Sequence, residues 1–98
     1  MNNLEKVIQE KQNQLGQRFE LLRKARVGGG VSVFELAKVL GFGDMTLYKL
    51  EKGESLPTKR TLNTLKDTFK LTETEFKEIQ REIIDIKILK KQLKEMEI

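Results

Sequence analysis

Cysteine and histidine are both absent from the 98 residues, and there is a single proline. Without thiolates or imidazoles the chain has neither the usual zinc ligands nor a thiol nucleophile, and it lacks the commonest general base. No stretch approaches the roughly 18 apolar residues of a membrane span. The opening "MNNLEKVIQEKQNQ" lacks the apolar centre of a secretory signal, so a cytoplasmic chain is expected. A nucleotide-binding reading also fails: "VGGGVS" is glycine-rich, but no strand precedes it and no Gly-Lys-Ser/Thr follows. With no nucleophile elbow and no paired acids in an apolar setting, no enzyme and no cofactor are expected.

What is present is charge and helical periodicity. Charged residues make up 35% of the chain and hydrophobic residues 38%. This suits one small helical domain with a modest core. The net charge of +4 is unevenly placed. Residues 1–14 balance, as do residues 61–98. Between Leu15 and Arg60, nine basic residues (Arg18, Arg23, Lys24, Arg26, Lys38, Lys49, Lys52, Lys59, Arg60) face five acids (Glu20, Glu35, Asp44, Glu51, Glu54). The whole surplus therefore lies in the middle of the chain, as binding to a polyanion requires.

The periodicity predicts a first helix, or two nearly continuous ones, from Asn3 to Arg26. Leu4, Ile8, Leu15, Phe19 and Leu22 share a face, with Lys11 or Gln12 as a polar gap. "VGGG" ends it. "SVFE" fits a capping box, with Ser32 and Glu35 opening a second helix that buries Leu36, Ala37 and Leu40 and stops at Gly41. A third, short helix turns Leu47 and Leu50 inward and ends at Gly53. Pro57 punctuates the next loop. Thr58 caps a fourth helix carrying Leu62, Leu65 and Phe69. "LTETEF", with Thr72 and Glu75, is a second capping box and opens a long last helix. Its seam of Ile79, Ile83, Ile86, Leu89, Leu93 and Met96 advances in coiled-coil-like steps of three and four, and Ile84 and Ile88 widen the stripe. Such a helix needs a partner surface: the first helix, its own copy in a dimer, or both. Its charges balance, which argues against a membrane surface.

From Leu15 to Phe76 these segments resemble the lambda-repressor-like, Cro/Xre-type helix-turn-helix family. "ELAKVLG" and the Leu-Glu-Lys-Gly-x-x-x-Pro pattern of "LEKGESLP", at this separation, carry the resemblance most strongly. It implies an all-α, five-helix DNA-binding domain over residues 15–76. Residues 1–14 would be an N-terminal helical extension, and residues 77–98 an amphipathic C-terminal helix for dimerisation. The resemblance assigns base contacts to Asp44, Met45, Thr46, Tyr48 and Lys49. Backbone contacts fall to Ser32, Val33, Gly43, Lys52, Thr58, Lys59 and Arg60. Arg23 and Glu51 match a structural ion pair, and Gly43 takes the cap position of the reading helix. Val33 stands where the family commonly has a glutamine that contacts DNA, so only its backbone amide can serve there. The function implied is a transcriptional regulator, in most such proteins a repressor, binding an inverted repeat of duplex DNA as a homodimer. Mobile elements, toxin–antitoxin pairs and restriction controllers use chains this short. The other reading is an accessory module that keeps the fold but binds a protein partner.

Overall fold

The computed structural model describes residues 3–96. Five helices follow in order: α1 (Asn3–Arg26), α2 (Val33–Leu40), α3 (Thr46–Glu51), α4 (Lys59–Thr68) and α5 (Glu73–Met96). Among the described residues there is no strand, and no helix is long and apolar enough to cross a membrane. The fold is all-α, as the periodicity indicated.

The two 24-residue helices, α1 and α5, form the frame. At about 1.5 Å per residue each spans some 36 Å, which accounts for the 44 Å long axis of the molecule. They lie against each other, α1 also crosses α3, and α2 packs on α3. One core joins Ile8, Leu15 and Phe19 of α1 to Leu36, Leu47, Leu50, Leu65, Phe69 and Ile79, all buried. α1 passes without a break through the expected boundary at residues 14/15, and the boundary at 76/77 falls inside α5.

Local chemistry sets most helix ends. The Ser32 hydroxyl accepts from the Glu35 amide at 3.1 Å, while the Ser32 amide donates to the Glu35 carboxylate. Thr72 and Glu75 repeat the exchange at the start of α5, at 3.1 and 2.9 Å. Thr58 caps α4 by accepting from the Thr61 amide at 3.2 Å. Both short helices end in the paired backbone bonds of a Schellman stop. For α2, Phe42 N–H reaches Ala37 and Gly41 N–H reaches Lys38; for α3, Glu54 N–H reaches Lys49 and Gly53 N–H reaches Leu50. The glycines supply the left-handed backbone these stops need, with φ of 76° at Gly41 and 74° at Gly53.

The seam of α5 corrects the expectation. Ile79, Ile83 and Ile86 are 0%, 6% and 1% exposed, buried within the chain in the core that α5 shares with α1. Leu89 and Leu93 pack on the edge of the same core, and only Met96 stands free. Ile84 and Ile88 do not widen the buried stripe; they face outward, each about half exposed. The reason is helical pitch: steps of three and four follow one face, and residues 84 and 88 lie roughly 100° or more round from Ile83.

Candidate nucleic-acid interface

α3 has six residues, too short to hold itself in water. α1 and α2 hold it in place. Leu47 and Leu50 are buried beneath it. Gly16 of α1 lets the two backbones meet: a Cβ there would lie 2.5 Å from the Glu51 carbonyl oxygen and 2.6 Å from that of Leu50. Two turns further along α1, Arg23 makes a two-pronged bond to Glu51, Nε to Oε2 at 2.8 Å and Nη2 to Oε1 at 3.0 Å. Its Nη1 also donates to the Val31 carbonyl at 2.7 Å. Both side chains are at least nine-tenths covered, so the expected structural ion pair is present. The hydrogen bond to Glu51 holds the Arg23 guanidinium more firmly protonated than usual, against the opposing effect of burial.

With its inner side fixed, α3 and the turn before it present Asp44, Met45 and Lys49 to solvent, with Thr46 half-buried. These residues and Gly43 line an open groove of about 420 Å³, whose opposite wall includes Pro57 and Thr58 at the entry to α4. The start of α3 thus shares one concave surface with the start of α4, where Thr58, Lys59 and Arg60 are exposed.

Gly43 departs from its expected role. Its carbonyl accepts the Thr46 N–H at 3.1 Å in a single turn. Regular helix begins only at Thr46, with Met45 in the cap position and no side-chain cap. Val33 is buried in the core, so only its backbone is available there. The Ser32 hydroxyl is engaged with the Glu35 amide.

Tyr48 is half-buried and does not stand alone. Its ring stacks on Phe34 with centroids 5.4 Å apart and planes 18° apart. Lys52 Nζ sits 5.6 Å from the Tyr48 centroid, within cation–π range. Phe34 was not among the expected contact residues, yet it is 49% exposed beside the candidate face. The signal for it was a large apolar residue off the α2 stripe of Val33, Leu36, Ala37 and Leu40.

Ion pairing sorts the central cations. Arg18 binds Glu78 and Glu82, Lys24 binds Glu20, and Arg26 binds Glu75; with Arg23, four of the nine are neutralised by carboxylates. The Glu20 carboxyl is accordingly held below its ordinary range by the hydrogen bond from Lys24. The Glu75 carboxyl is lowered to about 2 by hydrogen bonds from Arg26 and from the Thr72 backbone. Among the described residues, no ion pair engages Lys38, Lys49, Lys52, Lys59 or Arg60. These belong to α2, α3, the turn that ends α3 and the first turn of α4. The paired cations brace the frame, and the free ones gather on the elements expected to meet phosphates. Asp44 and Glu54 are the opposing exposed acids on α3 and its flanks. Among the described residues, no group of acidic side chains converges as metal ligands would.

A short helix braced on its inner side, with free cations on its outer side and on the next helix start, is the form of a groove-entering DNA-binding module. The helix-turn-helix domain family model matches residues 14–79, about two thirds of the chain, and the chain belongs to that family. No curated protein and no solved structure matches it.

Proposed function

We propose that the chain is a sequence-specific transcriptional regulator of the Cro/Xre type, a repressor without enzymatic activity that acts in the cytoplasm on duplex DNA. One observation carries this reading. Of the nine central cations, the five in no ion pair among the described residues lie on α2, on α3 and the turn that ends it, and at the start of α4, and Lys49 lines the groove between α3 and the α4 start. α3 enters the major groove, where Lys49 donates to phosphate or guanine and Asp44 accepts from a cytosine amine. The first-turn amides of α4 and Lys59 and Arg60 hold the flanking backbone.

The operator is an inverted repeat bound by a homodimer, with half-sites roughly 34 Å apart. The outward Ile84 and Ile88 of α5 support self-association. Ile84 lines an apolar groove of about 370 Å³ with Leu62, and Pro57 and Thr58 border both this groove and the reading groove. A two-fold axis passing beside it would set both reading faces side by side.

Selection from a randomised duplex library, followed by anisotropy titrations across a salt series, tests the reading. With Lys49, Lys52, Lys59 and Arg60 each neutralising a phosphate, log Kobs should fall against log salt with a slope of about −3 to −4 per protomer, and Lys49→Ala should remove about one unit. No enrichment of any duplex, together with no effect of Lys49→Ala, refutes it. The exposed Phe34 and Met45 beside Asp44 favour a second reading, in which this face binds a protein partner. Under that reading Phe34→Ala abolishes partner capture, while non-specific DNA affinity is unchanged.

A further inference from the structure

Gln12 occupies a place on α1 where the stripe of Ile8, Leu15 and Phe19 would take an apolar residue. It is 6% exposed. A buried carboxamide is costly unless its hydrogen-bonding groups find partners. Its Nε2 donates to the carbonyl oxygen of Gly53 at 3.1 Å, across 41 residues of sequence. Gln9, one turn earlier, donates to the same oxygen at 3.2 Å and to Asn13 Oδ1 at 2.8 Å. Gly53 is pressed so closely on α1 that a Cβ there would collide with Asn13.

The location of this carbonyl matters. It follows the Schellman stop of α3 and begins the loop toward Thr58, so it lies between the cations of α3 and those of α4. The amides around it are already used: Gly53 N–H by Leu50 and Glu54 N–H by Lys49. The carbonyl itself points away from the helix, to the two glutamines. α3 has no side-chain cap at its start. Beside its packing on α2, three ties to α1 set its aim: Gln12 to Gly53, Gly16 against the carbonyls of Leu50 and Glu51, and Arg23 to Glu51.

We propose that Gln12, assisted by Gln9, is a positioning residue for DNA reading. It fixes the angle at which α3 leaves for α4, and hence the registration of Lys49 and Lys52 with Lys59 and Arg60. Both glutamines precede residue 14, where the family match begins. The N-terminal extension is then a working part of the reading apparatus. The inference rests on the DNA-binding reading above.

The experiment uses the full chain. Wild-type protein selects duplexes from a randomised library. The ratio of affinities for a selected duplex and for poly(dI-dC) is then measured for wild type, Gln12→Leu and Gln9→Ala. Gln12→Leu keeps the apolar stripe continuous and removes the donor. It should lower the ratio at least tenfold, with poly(dI-dC) affinity and salt slope unchanged, because phosphate contact tolerates a re-aimed helix and base contact does not. Gln9 is exposed, so Gln9→Ala spares the core; it should lower the ratio by a smaller factor. The Gly53 and Glu54 amide resonances should move in both variants. A ratio within twofold of wild type in both variants overturns the proposal, as does an equal loss on both DNAs. Failure of the wild type to enrich any duplex would instead sink the DNA-binding reading, and this inference with it.

Discussion

Removing one member of the Arg23–Glu51 pair should be among the most damaging single changes in this chain. Arg23→Met deletes both prongs to Glu51 and the donor to the Val31 carbonyl, at 2.8, 3.0 and 2.7 Å. The Glu51 side chain is only 10% exposed, so its charge is left with little water. Breaking a buried pair this way costs about 3–5 kcal/mol. A domain of this size has on the order of 5–15 kcal/mol in all, and its melting temperature should fall by at least about 12 °C. Glu51→Leu leaves the guanidinium uncompensated and should cost a similar amount. The double variant Arg23→Met/Glu51→Leu buries two apolar chains where two charges were. It should recover most of the loss, short of wild type by roughly 1–3 kcal/mol for the orphaned Val31 carbonyl. Urea unfolding followed by far-UV circular dichroism measures all four corners of the cycle. If either single change costs under about 1 kcal/mol and the two add without coupling, the pair does not brace α3 as argued.

Three further outcomes follow from separate features. Gly16→Ala should destabilise the chain by up to about 2 kcal/mol: the new methyl meets two backbone carbonyls, and overpacking of roughly 1–3 kcal/mol is offset by a helix-propensity gain of at most about 1. A stabilised variant in thermal melts would contradict the close crossing of α1 and α3. Because Glu75 titrates near 2 when folded, below its ordinary range, its contribution is complete above about pH 4.5 and is lost as pH falls toward 2. Acid titration of stability should therefore be shallower in Arg26→Gln, and an identical profile would show that Arg26 is not the cause. Ile84→Glu and Ile88→Glu should weaken self-association in sedimentation equilibrium while leaving helix content intact, since both residues are about half exposed in the chain. The flanking Lys59 and Lys87 should make any self-association tighten with added salt, through screening of like charges; the opposite trend would place the contact elsewhere.

Much of the architecture was legible locally because helix ends are short-range chemistry. Ser32 with Glu35 and Thr72 with Glu75 form capping boxes within four residues, and Gly41 and Gly53 stop helices through their own backbone freedom. The 3.6-residue period sorted Leu36, Leu47, Leu50 and Leu65 to the inside without reference to their partners. The surplus of cations in the middle of the chain was likewise a property of order along the sequence.

The tertiary structure decided which groups are free. Arg18, Arg23, Lys24 and Arg26 count equally with Lys49 and Lys59 in composition. Only the approach of α5 and α3 to α1 gives Arg18, Arg23 and Arg26 carboxylate partners. An amphipathic helix carries its apolar stripe but not the identity of what covers it, so Ile79, Ile83 and Ile86 suited a dimer or the chain's own core equally well; their packing with α1 in one core resolves it. Gln12 reads as a gap in a stripe until Gly53, 41 residues away, is brought to its amide. Short-range bonding along the chain set the helices and their ends. Long-range packing set which charges, apolar faces and carbonyls remain to be satisfied, and it is those that aim α3.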